Sequence, residues 1–125
     1  MNLLAESEHY MVYGEYENVM MIIKASQKKI LIGDFYGNPQ GAVIAEDETY
    51  CIMWGCGVII YYLTEPFKEY EYNIQTTQWK EWGRNEVDVW IEDIESIHDE
   101  TVALMTEQGE CVTINVHNHN FSYQK

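Results

Sequence analysis

Apolar residues come in short bursts or in strict alternation along almost the whole chain, and nowhere at the i, i+3, i+4, i+7 spacing of an amphipathic helix. That pattern predicts a mainly β protein. Val19–Ile23 and Ile30–Ile32 flank the polar Ala25-Ser26-Gln27-Lys28, which predicts an antiparallel hairpin. Asp34–Gly41 concentrates Gly, Asn and Pro and is expected to be a loop. A second hairpin is predicted from Ala42–Ala45, the turn Glu46-Asp47-Glu48-Thr49, and Tyr50–Trp54. Gly55-Cys56-Gly57 marks a tight turn or bulge before the apolar run Val58–Leu63.

Residues 64–86 break this rhythm. They are rich in aromatics and acids and poor in aliphatics, as expected of a long excursion holding at most a short strand or a single helical turn. Regularity returns where Val87, Val89 and Ile91 alternate with Asp88, Trp90 and Glu92, which predicts a half-buried strand. Val102–Met105 and the alternating Val112–Val116 segment form another predicted hairpin across Glu107-Gln108-Gly109-Glu110. The tail offers an edge strand through Phe121 and Tyr123. In all, about eight to ten short strands joined by tight turns predict an antiparallel sandwich, a small barrel or a blade-like meander. With no clear internal repeat and no Gly/Ser linker, residues 1–125 are expected to form a single β domain.

Charge narrows the partners. The 125 residues carry 21 Asp+Glu against 7 Lys+Arg, a formal net charge of -14, and the sequence pI is about 4.4. Such a chain repels nucleic-acid phosphates and anionic membrane surfaces, so neither is an expected partner. A hydrophobic fraction of 46% separates it from a disordered acidic tail. The opening Met1–Glu8 lacks the basic and apolar regions of an export signal, and Val58–Leu63 is far short of the roughly 20 residues that span a bilayer. Cys51, Cys56 and Cys111 are an odd number set in or beside apolar segments, which fits reduced thiols, although Cys51 and Cys56 are near enough to pair if oxidised. A cytoplasmic protein is the expectation.

No motif names a reaction. Paired catalytic carboxylates need a set separation in a cleft, and sequence shows only their abundance. Asp34, between Gly33 and the Phe35-Tyr36-Gly37 turn, is first a candidate for bonding that turn's backbone and second a functional group. His117-Asn118-His119 would put two imidazoles on one face of a strand, too few ligands to close a metal site. Cys111 carries no sign of ionisation, and Gly55-Cys56-Gly57 leads into a strand rather than a phosphate-binding helix. Hence no enzyme activity, catalytic residue, cofactor or metal is expected.

Charge and aromatics coincide in the middle of the chain, where residues 64–100 carry 11 acids and 3 bases. There Glu69, Tyr70, Glu71, Tyr72, Trp79, Glu81 and Trp82 interleave rings with carboxylates, a mixture that suits contact with a cationic protein. Asp34, Tyr36 and the Glu46-Asp47-Glu48 turn form a second candidate contact group. The competing reading is that the rings cap the β core and the acids only solubilise it.

Ile32–Pro39, Ala42-Val43-Ile44, Trp54–Gly57 and Val58–Leu63 together resemble small acidic bacterial immunity proteins encoded beside polymorphic or contact-dependent toxins. The likeness spans residues 18–92 and is a pattern of glycines, aromatics and apolar strands, so it carries over no contact residue. It implies a cytoplasmic antitoxin that binds one cognate basic toxin domain, often a nuclease. The alternative from the residues themselves is a β domain that binds a small ligand or sugar through Trp54, Trp79, Trp82 and neighbouring tyrosines, with hydrolytic carboxylates as an option. Oligomeric state is not legible.

Overall fold

The computed structural model describes residues 2–84, 88–98 and 100–117, and the backbone alone at 121–124. Its twelve strands form three four-stranded antiparallel sheets, each a meander of strands consecutive in the chain. The first contains β1 (Asn2–Glu6), β2 (Tyr10–Glu15), β3 (Asn18–Ile23) and β4 (Lys28–Asp34). The middle sheet contains β5 (Gly41–Ile44), β6 (Tyr50–Gly55), β7 (Gly57–Tyr62) and β8 (Trp79–Trp82). The third contains β9 (Ile91–His98), β10 (Thr101–Thr106), β11 (Cys111–Asn115) and β12 (Phe121–Gln124). The all-β antiparallel class is as the patterning predicts. The strand count exceeds about eight to ten chiefly because β1 and β2 were not anticipated: their apolar residues alternate less cleanly than those of β10 and β11.

The middle sheet is covered on both faces. Cys51, Met53, Ile59, Tyr61 and Trp79 pack with Val12, Val19, Met21, Ile30 and Ile32 of the first sheet. Tyr50, Ile52, Trp54, Val58 and Ile60 pack the other way, against Val102, Leu104, Val112 and Ile114 of the third. All of β6 is therefore buried. A strand with core on both sides cannot alternate apolar with polar, which is why Tyr50–Trp54 and Val58–Tyr61 read as unbroken runs.

The hairpin between β6 and β7 is as tight as its glycines allow. Gly55 pairs with Gly57 around Cys56, and Gly57 sits at φ +83° with Trp82 O only 2.7 Å from where a Cβ would stand. The strand expected at 87–92 begins later and runs further than its alternation implied, over Ile91–His98. Val87 lies outside the described residues, Asp88 and Val89 are irregular, Trp90 makes an isolated bridge to Cys56, and the strand proper begins at Ile91. Pairing of Gly57 N–H with Val89 O, 2.7 Å, explains the offset, since it ties this segment to the hairpin tip instead of to a ladder. The cysteines are free, and burial pushes the Cys51 thiol up to about 12. No helix among the described residues is long and apolar enough to cross a membrane.

Candidate partner-binding surface

Turns on one end of the stack bring together residues far apart in sequence. The β2–β3 turn supplies Tyr16 and Glu17, the β4–β5 loop Phe35 and Tyr36, the β6–β7 tip Cys56, and the exit of β8 Arg84. All of these but Tyr16, which lines a neighbouring hollow with Asn38 and Pro39, join Asp34, Asp88 and Tyr72 in lining an open cleft of about 470 Å³. Tyr16, Tyr36 and Tyr72 are 88%, 74% and 51% exposed, a large ring area left in water at one end of an otherwise well-packed molecule. The edge of Tyr36 meets Trp90 at 6.1 Å between centroids.

Arg84 holds this end together. Its guanidinium lies 4.7 Å from the Phe35 centroid and 5.8 Å from that of Tyr72, and its side chain is 6% exposed. Nη1 donates to Cys56 O at 3.1 Å, Nη2 donates to Asp34 O, and Nε lies 2.9 Å from Glu81 Oε1. Tyr70 O–H donates to the same carboxylate, and burial raises the Tyr70 phenol far above its ordinary range. The cation is thus consumed internally, which leaves Glu17, Asp34 and Asp88 to set the sign of the cleft.

The anticipated contact residues divide. Tyr36, Tyr72 and Asp34 lie on the cleft, and Glu71 is exposed beside Tyr72. Tyr70 and Trp79 do not belong to a contact surface: they are 3% and 2% exposed, packed on one another at 5.1 Å, with Trp79 stacked on Tyr61 at 6.2 Å. For these two rings the core-cap reading was the correct one. Trp82 packs against the second core, and Glu81 is held between Tyr70 and Arg84. Glu69 is exposed, and its carboxylate accepts from Leu31 N–H at 2.7 Å along the edge of β4.

The Glu46-Asp47-Glu48 turn is at the opposite end. Glu46 is exposed, whereas Asp47 accepts from Thr49 Oγ1 at 2.6 Å and Thr49 N–H at 3.2 Å, which holds its carboxyl below the usual range. Glu48, at φ 58°, accepts from Ser7 Oγ, from His9 N–H at 3.0 Å and from His9 Nδ1 at 2.6 Å. Those bonds lower its carboxyl to about 2, so it latches the β1–β2 turn to the β5–β6 turn. Asp34 does not serve the following turn as anticipated; Glu17 Oε2 accepts from Gly37 N–H at 2.6 Å instead.

Tyr16, Glu17, Arg84 and Asp88 were not singled out from sequence. Tyr16-Glu17 between two apolar runs was the available turn signal, but nothing local reveals that an arginine beyond β8 reaches the end of β4. Of the two histidines in His117-Asn118-His119, His119 lies outside the described residues, while His117 Nε2 stands 3.9 Å from Glu100. Among the described residues no three His, Cys, Asp or Glu side chains are grouped to hold a metal ion. No protein-family profile matches the chain, and no curated protein matches it in sequence.

Proposed function

We propose that this chain is an immunity-type protein, a cytoplasmic inhibitor that binds a basic toxin domain, most naturally a nuclease, and shields its active site. The observation that carries the reading is the cleft end, where exposed Tyr16, Tyr36 and Tyr72 stand among Glu17, Asp34 and Asp88 with the neighbouring arginine already neutralised. Tyrosines give large contact area at little entropic cost, and carboxylates match the Lys and Arg with which a nuclease grips phosphate. A net charge of -14 adds long-range attraction to such a partner and none to nucleic acid itself. Binding, not catalysis, is the proposed activity. The small-ligand alternative has less to stand on, because Trp54 and Trp79, two of the rings it would use, are 4% and 2% exposed.

The test is co-expression with the basic C-terminal domain of a toxin encoded by the neighbouring reading frame. Wild-type chain should protect cells, and Tyr36→Ala with Tyr72→Ala should each weaken binding by about 2 kcal/mol, roughly thirtyfold, while leaving circular dichroism unchanged. A chain that neither binds nor protects would sink the proposal.

A further inference from the structure

The end of the stack opposite the cleft has a hollow of its own, between the middle and third sheets. The β5–β6 turn forms one rim, the β9–β10 turn the other, and the end of β11 closes the side around about 1320 Å³ of open space. Its lining is of two kinds. Ile44, Ala45 and Ile97 are apolar, and Ile97 is 41% exposed. Glu46 and Asp47 stand on one rim and Glu100 on the other, all three exposed, so carboxylates lie on both sides of the aliphatic lining.

Acids are plentiful over the whole chain, and what sets this hollow apart is Tyr50. The residue is 4% exposed, it lines this space, and among the described residues its phenol has no hydrogen-bond partner. A phenol buried that far is ordinarily bonded, as Tyr61 is to Lys68 O at 2.6 Å and Tyr62 to Val116 O. The Tyr50 hydroxyl is not sealed into the core either, so its missing partner has to come from the hollow. Burial first, then the charge of Asp47, raises the phenol above its ordinary range, which puts that carboxylate within electrostatic reach of it. Both bonds from Thr49 fall on Asp47 Oδ1, which leaves Oδ2 to an outside donor.

We propose that this hollow binds a linear alkyl polyamine, with its methylenes along Ile44 and Ile97 and its ammonium groups on the Tyr50 phenol oxygen and the carboxylates of the two rims. An ammonium carries donors and no acceptor, which matches an unpartnered phenol oxygen and rim carboxylates and is the opposite of an anion. Acids on both rims call for cationic groups set apart on one chain. The aliphatic lining between them suits methylenes better than a hydrated metal ion, and among the described residues no three His, Cys, Asp or Glu are grouped to hold one. A net charge of -14 gathers such polycations from solution. The hollow lies away from the aromatic cleft and does not depend on the partner assigned there.

Titration of the isotopically labelled full chain with spermidine at about 0.15 M salt, followed by amide chemical shifts, tests this. Saturable shifts should concentrate at 44–50, 97–98, 100–101 and 115–117. Tyr50→Phe removes only the unpartnered hydroxyl and should weaken binding about fivefold with the urea midpoint unchanged. Glu100→Gln should weaken it by about as much. Glu107→Gln, which removes the same charge from the exposed turn at the other end of the third sheet, should change it by less than about twofold. Shifts spread evenly over the acidic surface, or either Tyr50→Phe or Glu100→Gln binding as tightly as wild type, would overturn the proposal. N-acetyl-lysine amide, with one ammonium on an aliphatic stem, separates the two sources of this chemistry. Binding at least about tenfold weaker than that of spermidine assigns the hollow to a polyamine; anything closer assigns it to a lysine of another protein and overturns the proposal.

Discussion

Glu48 and His9 are a titrating pair whose partners belong to two sheets. The Glu48 carboxyl is lowered from 4.5 to about 2, first by Ser7 and then by His9, while the His9 imidazole is raised from 6.5, first by its hydrogen bond to Glu48. Glu8 reinforces that rise and Lys24 opposes it. The depressed acid contributes stability above 4.5 that fades as pH falls toward about 2. The raised base contributes below 6.5 and fades as pH climbs through its folded value. The latch should therefore be firmest between pH 4.5 and 6.5, and calorimetry across that range should show wild type falling on both sides more steeply than Glu48→Gln. Parallel profiles would show that the pair does not couple the turns. Arg84 makes a sharper case. With Glu81 left in a side-chain environment 9% exposed, Arg84→Met should cost about 3 kcal/mol or more in urea unfolding, and adding Glu81→Gln should recover part of it. Neither arrangement was legible beforehand: sequence showed a turn rich in carboxylates but not that Glu48 is spoken for by Ser7 and His9, residues about 40 positions away.

Strands and turns were far more legible than side-chain roles. The hairpins around 24–27, 45–49 and 107–110 lie where apolar runs flank polar or glycine-bearing tetrads, because turn chemistry is local. Burial of Tyr70 and Trp79 was not legible, because which side of the connection between β7 and β8 faces the core depends on the edge it covers. Gly57 is the point where element geometry depends most on one residue. Gly57→Ala meets Trp82 O at 2.7 Å and Arg84 Cγ at 2.1 Å, with φ at +83°. Gly109→Ala has nearly the same φ, +81°, and nothing within 4 Å. The first should cost about 3 kcal/mol and the second about 1 kcal/mol in equilibrium unfolding, the difference isolating the close approach from the backbone conformation. Equal losses would mean that β8 shifts freely away from the hairpin tip.

For the whole molecule, the acidic field and the aromatic end should act at different stages of encounter. Association with a basic toxin domain should slow by about tenfold or more between low salt and 0.5 M, since screening at about 0.15 M already cuts electrostatic reach to roughly 8 Å. Dissociation should change little with salt and respond instead to Tyr36→Ala and Tyr72→Ala; a salt-independent association rate in stopped-flow would remove charge steering from the account. Fold class was readable at this scale, while the stacking was not, because sequence cannot say which faces of successive meanders meet. That stacking has a consequence for synthesis on the ribosome. Within each sheet the strands pair with their neighbours in the chain, so each meander can close as soon as it emerges. When the middle one closes, only the first is present to receive it, and Tyr50, Ile52, Trp54, Val58 and Ile60 wait uncovered until the strands from Ile91 onward arrive. A pause in translation between those two points would hold the nascent chain with its stickiest surface bare, the interval in which it most needs a chaperone.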